Sequence, residues 1–590
     1  MTMKTLALIL CILAAASASL GRVWHVGNVN GSDLAGGYLS PSDRLATIAK
    51  AVELMSPSDD VWVHNEGAYY TEPLSLTNSG TSWANPVRIK GIGTPVITGG
   101  FTPASWAQVG STYIYSTTCE TATYFVVEDD VPLTMIGEHY WLSAGVDALT
   151  TLYTSVNSGW GQAEDYYGEA ARAPADFTNE MYAGTFSWSN DILYVWCSDS
   201  NAPATHTMEV AVRPDVAVIS GAYIDITGFE FRLDNRFAFN NWGGVYLRGT
   251  GPTRFHGNTV KFSSGMGLAL LQGGQWFVES NRFTYNGCVG LGGKGRDTHI
   301  IGNVFDYNNW HRHWHGWQCG GMKITAPLDA VVISDNTISN NWGPGIWTDI
   351  PYVQDVQIRR NLVHHNWWEG IFVEFGSTVS VANNILAFNW GDGVHAKHVD
   401  RAGIYHNTLY KNGGAGVCLN NYAHADPLLG GRPISEWGST ITNWMHGRAS
   451  LNADAHFPTT DGRIWGNMFV LNRWTNNVMA HETWYSNGLH RGEVEYPRDS
   501  YDALSDGTGY DIDCNFYWRD VDQIGSATQY WFEMINTTGV NRAYWTGTLG
   551  YDTNSTFHLD PLLTDPENLD FTLATNSPAR DTVFHFMGVV

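Results

Sequence analysis

The sequence predicts an all-β protein folded as a right-handed parallel β-helix, a solenoid, with an inserted β-sandwich-like domain. An Asn-led block recurs at Asn258, Asn281, Asn303, Asn336, Asn361, Asn384 and Asn407, so that by subtraction successive blocks lie 22 to 33 residues apart. Apolar and polar residues alternate within each block, which excludes helix because successive side chains then point to opposite sides. One coil per repeat accounts for both observations, and right-handed crossovers between parallel strands set the hand.

A second element of each coil begins at a glycine. Gly244, Gly267, Gly370 and Gly393 each stand 14 residues before a repeated asparagine and open another alternating stretch. Two other repeat folds are excluded. The Leu-x-x-Leu-x-Leu pattern of a leucine-rich repeat is missing, and the repeat is too short for a β-propeller blade, which needs about 40 residues. We expect the asparagines at inward bends, where a ladder of side-chain amides satisfies turn backbone groups.

The chain divides into six segments. Residues 1–18 read as a signal peptide, with Lys4, an apolar run at residues 6–15 and a small-residue cleavage site at residues 16–18. The run is shorter than the roughly 20 residues that span a bilayer, so we expect a secreted or periplasmic protein without membrane insertion. The other segments are an N-terminal cap and first coils (19–100, with a capping helix at 46–55), the inserted sandwich (101–215), a central β-helix carrying the site (216–420), a long loop insertion (421–462), and C-terminal coils with a cap (463–590).

The amino-acid composition excludes some classes of binding partner. The chain has 590 residues, a formal net charge of -25 and only 32 lysines and arginines. This charge repels polyanions, so we expect no binding to nucleic acid.

Two carboxylates occupy the same register on adjacent coils. Asp349 and Glu374 each lie four residues after a coil glycine, Gly345 and Gly370, and their side chains are predicted to point outward. Carboxyl groups one coil apart lie about 5 Å apart, as a retaining glycosidase requires, whereas an inverting pair needs roughly 6.5–9.5 Å. The spacing predicts Asp349 as nucleophile and Glu374 as general acid and then base, with no cofactor or metal. The structural alternative is a pair of solvated surface charges.

Further residues are predicted around this pair. Lys323, Trp347, His395 and Lys397 are candidate substrate contacts, and so are Trp314, His315 and Trp317 in an unusually long coil. Tryptophan faces stack on sugar rings, and tryptophans are concentrated in these coils. Cys288 and Cys319 each precede a coil glycine by two residues, which makes them a disulfide candidate or a pair of buried thiols.

Three segments resemble the secreted β-helix glycosidases of the family that contains β-xylosidases, glycoside hydrolase family 120. They are Gly320-Gly-Met-Lys323, Gly343-Pro-Gly-Ile-Trp-Thr-Asp349 and Glu369-Gly-Ile-Phe-Val-Glu374. The resemblance implies a β-helix joined to a β-sandwich, which matches residues 101–215. It also implies an Asp nucleophile and a Glu acid/base one coil apart, at Asp349 and Glu374, and a plant or algal polysaccharide or oligosaccharide as substrate, with xylosides as the leading candidate.

Two other functions remain open from the residues alone. A calcium-dependent polysaccharide lyase would use Lys397 or Arg248 as base, and Asp349 and Glu374 would bind Ca²⁺. Two carboxylates, however, supply few of the oxygen ligands that Ca²⁺ requires. The second alternative is a non-catalytic carbohydrate-binding solenoid, because a fold does not determine function.

Overall fold

The computed structural model describes most of the β-helix and the inserted domain. The described residues are 21–34, 40–136, 181–236, 243–249, 251–271, 274–312, 319–349, 353–420, 462–470, 494–495, 511–518, 532–533, 546–547, 550–557 and 559–582. The predicted signal peptide, almost all of the 421–462 insertion, and Trp314, His315 and Trp317 lie outside them.

The opening segment combines short strands with one helix. Its elements are β1 (Val23–Val26), α1 (Ile48–Leu54), β2 (Asp60–His64), β3 (Leu74–Leu76), β4 (Val87–Ile92) and β5 (Val96–Thr98). The Thr47 hydroxyl caps α1 by accepting the Lys50 amide, and Ile48, Ala51 and Val52 are buried. The buried face of α1 therefore covers the first end of the solenoid core.

The inserted domain consists of two small sheets. Its strands are β6 (Gly100–Phe101), β7 (Ala107–Gln108), β8 (Tyr115–Thr118), β9 (Val126–Glu128), β10 (Val131–Pro132), β11 (Thr134–Met135), β12 (Thr185–Ser189), β13 (Ile192–Trp196) and β14 (Met208–Ala211), with a 3-10 turn at Pro203–Thr205. The sheets have the orders β10-β9-β14-β6 and β11-β12-β13-β8-β7, and within them every strand pairing but β11–β12 is antiparallel. They share one apolar core, which includes Val126, Phe186 and Val210.

Strands of the central β-helix repeat coil by coil. They are β15 (Ala217–Ile219), β16 (Ile224–Thr227), β17 (Glu230–Arg232), β18 (Gly243–Leu247), β19 (Thr253–His256), β20 (Thr259–Lys261), β21 (Met266–Leu270), β22 (Gln275–Glu279), β23 (Arg282–Thr284), β24 (Val289–Ile301), β25 (Val304–Asp306), β26 (Gly320–Ser334), β27 (Thr337–Ser339), β28 (Ile346–Asp349), β29 (Val353–Arg359), β30 (Leu362–His364), β31 (Ile371–Ala382), β32 (Ile385–Ala387), β33 (Val394–Tyr405), β34 (Thr408–Tyr410), β35 (Val417–Asn420), β36 (Arg463–Trp465) and β37 (Met468–Val470). Each strand pairs in parallel with its counterpart one coil away. The stacked faces enclose one continuous apolar core.

The inserted domain interrupts the chain between two consecutive coils. β3, β4 and β5 of one coil pair in parallel with β15, β16 and β17 of the next. The chain thus leaves the β-helix after β5 and resumes the stack one coil later.

Two asparagine ladders line the bends. The first runs through Asn258, Asn281, Asn303, Asn336, Asn361, Asn384, Asn407, Asn467 and Asn515, and each amide oxygen accepts the backbone N–H of the preceding member. The residue before each member has a positive φ of 54 to 67°. A second ladder, which we did not predict, contains Asn286, Asn308, Asn341, Asn366, Asn389 and Asn412.

The last described elements continue the stack and close it. They are β38 (Val494–Glu495), β39 (Asp511–Asp513), β40 (Phe516–Trp518), β41 (Phe532–Glu533), β42 (Thr556–Phe557), β43 (Leu563–Asp565), β44 (Asp570–Leu573), a 3-10 turn at Pro566–Asn568, and helix α2 (Ala579–Thr582). The antiparallel β43–β44 hairpin packs Leu563, Phe571 and Leu573 against Met468 and Phe516. The all-β solenoid predicted from the repeats is confirmed.

Candidate active site

The candidate site lies on the outer face of β26, β28, β31 and β33. Met322, Ile346, Ile371 and Val394 follow one another in register, and all four belong to the solenoid core. The next position along each strand carries Lys323, Trp347, Phe372 and His395, again in register. Because alternate strand residues face opposite sides, this second row points away from the core.

Asp349 and Glu374 fall at equivalent positions of adjacent coils, as their spacing predicted. The parallel pairing of β28 with β31 runs to Thr348 and Val373, and the two carboxylates come immediately after these partners. They are not solvated surface charges, because Asp349 is only 6% exposed and Glu374 8%. Buried charged groups require specific partners, so this burial singles the pair out from ordinary outer-face residues.

Each carboxylate has a lysine partner. Lys323 Nζ lies 2.7 Å from Asp349 Oδ2, and Lys397 Nζ lies 2.8 Å from Glu374 Oε1. Both lysines are buried. The two lysines predicted as substrate contacts therefore hold the candidate catalytic carboxylates directly.

Trp347 is buried between two neighbours. Lys323 Nζ lies 3.2 Å from the centre of its ring, and the Phe372 ring stacks at 5.2 Å. Among the described residues, its buried Nε1 has no acceptor. Because the indole ring already contacts protein, Trp347 is not a free face for stacking on a sugar. What the side chain retains is an N–H donor without an acceptor.

Other tryptophans form a ladder beside the second row of asparagines. The Trp342 and Trp367 rings lie tilted against each other with centroids 3.7 Å apart, and Trp367 stacks on Trp390 at 4.0 Å. The Arg312 guanidinium lies 4.5 Å from the centre of the Trp342 ring. Stacking between coils therefore accounts for part of the tryptophan enrichment that we interpreted as sugar-binding surface.

Glu369 begins one of the three segments that resemble the glycosidase family, and no role was predicted for it. Its side chain is 2% exposed, and burial raises its pKa to about 8, with a smaller contribution from the Glu374 charge and opposition from Lys397. His395 Nδ1 lies 3.4 Å from Glu369 Oε1 and 3.4 Å from Asp392 Oδ2. Glu369 and Asp392 each directly precede a coil glycine, which is the signal that would have found them.

Of the two alternatives for Cys288 and Cys319, the structure has the pair of buried thiols and not the disulfide. They are unbridged and lie on adjacent coils, and burial holds the pKa of Cys288 well above its usual value. Cys319 packs against Trp347 and Phe372, so it serves as a small apolar side chain. Every cysteine in the described part of the chain is unbridged.

Two groups of described residues have the composition and spacing of metal ligands. They are Asp392, His395 and Cys418 on the β-helix, and Glu128, Cys197 and His206 in the inserted domain. Asp349 and Glu374, the calcium ligands of the lyase reading, belong to neither group. No helix in the described ranges has the length and apolar character to cross a membrane.

Comparison with known proteins identifies the class of fold. The family model for a right-handed β-helix region matches residues 243–398, which confirms the predicted hand. A search of the curated proteins finds no match to the sequence.

Solved structures extend the likeness. The structure of XylC with xylose matches with 15% identity and a TM-score of 0.59, covering 92% of this chain and 87% of that chain. A glycoside hydrolase structure matches with 11% identity, a TM-score of 0.44, and coverage of 77% and 95%. A family 136 lacto-N-biosidase from Eubacterium ramulus matches with 10% identity, a TM-score of 0.37, and coverage of 91% and 68%. At 15% identity the likeness to XylC defines the fold, and it confirms the resemblance at that level.

Proposed function

We propose that this protein is a secreted retaining glycoside hydrolase, with Asp349 as nucleophile and Glu374 as general acid and base. Its substrate is a plant or algal polysaccharide or oligosaccharide, with xylosides as the first candidate. The observation that carries the proposal is the register of β28 and β31, which brings two buried, lysine-bonded carboxylates to equivalent positions on adjacent coils.

Coil spacing favours retention over inversion. Paired strands lie about 4.8 Å apart, close to the 5–5.5 Å between the carboxyl groups of retaining enzymes. Inverting enzymes need roughly 6.5–9.5 Å, so that a water molecule fits between substrate and base. In the next coil beyond Glu374, the equivalent position holds Lys397, which can serve as neither carboxylate.

The proposed reaction is a double displacement. Glu374 donates its proton to the glycosidic oxygen while Asp349 attacks the anomeric carbon, which forms a glycosyl ester and releases the leaving group. Glu374 then takes a proton from water, which attacks the same carbon and frees Asp349. Lys323 orients the attacking carboxylate, and Lys397 stabilises the Glu374 carboxylate between the two steps.

Substrate recognition adds two supports. Trp347 lies two residues before Asp349 on β28, and its buried Nε1, which has no acceptor among the described residues, leaves an N–H donor beside the proposed nucleophile. XylC, whose structure has a similar fold, was solved with xylose, which makes xylosides the first substrates to test. The double displacement itself uses no cofactor. Because each carboxylate is already paired with a lysine, the two are poorly suited to bind Ca²⁺ as the lyase hypothesis requires.

The decisive experiment uses azide with an aryl xyloside. For Asp349→Ala, we expect azide to replace the carboxylate as nucleophile and give a glycosyl azide of inverted configuration. For Glu374→Ala, the covalent intermediate still forms from a good leaving group, and azide then gives the retained configuration. Product configuration is read by nuclear magnetic resonance, which assigns the two roles separately.

Controls separate this function from its alternatives. Asp335→Ala removes an exposed carboxylate paired with Arg360 and should keep wild-type turnover. Wild-type activity should persist in chelator and produce new reducing ends without ultraviolet absorbance from an unsaturated sugar. Full turnover by Asp349→Ala without azide contradicts the proposal, as does chelator-sensitive formation of an unsaturated product.

A further inference from the structure

We propose that Asp392, His395 and Cys418, with Glu369 beside them, form a transition-metal site suited to Zn²⁺. The metal would fasten three consecutive coils at the edge of the candidate active site. The inference does not depend on the hydrolase proposal, since it concerns metal binding and is tested by metal content and spectra.

The fold brings these four residues together from three coils. Glu369 and Asp392 each precede a coil glycine and lie on adjacent coils, where Gly370 donates a backbone hydrogen bond to Asp392. His395 and Cys418 are partners in the parallel pairing of β33 with β35. The carboxylate pair therefore lies three positions along the coil from the His-Cys pair.

The distances between these side chains suit ligands of one metal ion. One potential ligand atom each of Asp392, His395 and Cys418 lies within 4.8 Å of the others. His395 Nδ1 lies 3.4 Å from Asp392 Oδ2 and 3.4 Å from Glu369 Oε1. An N–H···O bond usually measures about 2.7–3.2 Å, whereas ligands around a tetrahedral zinc with bonds of about 2.0–2.1 Å are about 3.3–3.5 Å apart.

Burial and charge support the same assignment. Glu369, Asp392 and Cys418 are at most 5% exposed, and Glu369 Oε2 accepts no hydrogen bond from the described residues. Asp392 Oδ1 accepts the Ala415 amide at 2.7 Å, and Oδ2 lies 3.4 Å from His395 Nδ1. A buried polar atom without a partner is unfavourable, and a cation held beside Glu369 would offset that cost.

The ligand types select the class of metal. A thiolate, an imidazole and carboxylates together are typical of zinc, whereas calcium and magnesium prefer oxygen ligands alone. Lys397 and Glu374 are the other charged groups near Glu369, and they are bonded to each other.

The inserted domain provides a matched control. Glu128, Cys197 and His206 have similar spacing, but both nitrogens of His206 contact carboxylates, Asp129 at 2.8 Å and Asp199 at 3.2 Å. Glu128 accepts hydrogen bonds from the amide and hydroxyl of Ser198. That group is explained as an ion-pair network without a metal.

The test uses the full chain, stripped of metal and titrated with Co²⁺. We expect one tightly bound ion per chain, with the intense absorption of a tetrahedral cobalt–thiolate bond. Cys418→Ser should lose the thiolate band, whereas Cys197→Ser should keep it. Equilibrium dialysis with Zn²⁺ followed by elemental analysis should give one zinc per chain for wild type and a loss of that zinc in His395→Gln.

Wild-type protein alone is sufficient to overturn the proposal. Failure to bind Co²⁺ or Zn²⁺ stoichiometrically does so without any variant, and so does an unchanged thiolate band in folded Cys418→Ser. Circular dichroism checks the fold of each variant. These measurements of metal binding do not depend on enzyme activity, so they test the metal site whether or not the hydrolase proposal is correct.

Discussion

At the scale of single residues, the site is defined by where charge is buried. Asp349 and Lys323 are 6% and 2% exposed and lie 2.7 Å apart on neighbouring coils. Breaking a buried ion pair by removing one partner is strongly destabilising, whereas exposed pairs contribute little. The lysine is therefore part of the fold as well as of the proposed chemistry.

We predict that Lys323→Met lowers the free energy of unfolding by about 3–5 kcal/mol, because the buried Asp349 carboxylate loses its cation. The proposed nucleophile also loses its orientation, so turnover should fall sharply. Urea denaturation followed by tryptophan fluorescence measures the first effect, and an aryl xyloside assay the second.

Arg360→Met is the matched control for this change. Arg360 pairs with Asp335 through an exposed ion pair at 2.7 Å, so its loss should cost about 0–1 kcal/mol. Equal destabilisation by the two variants would mean that burial of the Lys323–Asp349 pair has no energetic consequence.

At the scale of elements, the asparagine ladders determine how one coil bends into the next. Arg360 adopts φ of 54°, and Asn361 follows it, with Nδ2 donating to Ile333 O at 3.0 Å and to Asn384 Oδ1 at 3.0 Å. Asn361 Oδ1 in turn accepts the backbone N–H of Asn336. The ladder thus satisfies backbone groups that the bend leaves without strand partners.

We predict that Asn361→Ala destabilises the protein by about 3 kcal/mol or more, because buried donors and acceptors on both neighbouring coils lose their partners at about 1–3 kcal/mol each. Urea denaturation measures the change. As a control, Asn201→Ala removes an exposed amide that donates to Asp199 and should change stability by less than about 0.5 kcal/mol. A neutral Asn361→Ala would show that the ladder is dispensable at the centre of the stack.

At the scale of the whole molecule, a charge network around the buried Arg232 links the inserted domain to the β-helix. Arg232 on β17 contacts Glu209 at 2.6 Å and Asp130 at 2.9 Å, both in the inserted domain. Lys261 on β20 contacts Asp130 as well, at 2.8 Å. Burial raises the pKa of Glu209, and the Arg232 charge opposes that rise.

We predict that Arg232→Met weakens this attachment by about 3–5 kcal/mol, because Glu209 stays buried without its arginine. The pKa of Glu209 should rise further, so the folded state favours its protonated form and the defect grows as pH increases. Scanning calorimetry at several pH values and limited proteolysis of residues 101–215 measure the effect.

Arg463→Met serves as the control, since Arg463 and Asp511 form an exposed pair at 3.3 Å. It should leave both the calorimetric transition and the proteolysis pattern unchanged. A pH-independent Arg232→Met defect would contradict the role given to Glu209.

The sequence alone determined the solenoid, its first asparagine ladder and the position of Asp349 and Glu374 in one column. These features repeat along the chain, and a period of one coil converts sequence spacing directly into neighbouring positions in space. The candidate pair was predictable because both residues sit four places after a coil glycine.

Only the tertiary structure decided which outer-face charges are buried and what each one contacts. Lys323 and Lys397 bond the two carboxylates, Glu369 and Asp392 converge on His395, and Cys288 and Cys319 are not bridged. Periodicity fixes the row a side chain occupies, but burial, hydrogen bonding and charge pairing depend on distances between coils and between the β-helix and the inserted domain. Those distances arise only when the chain is folded.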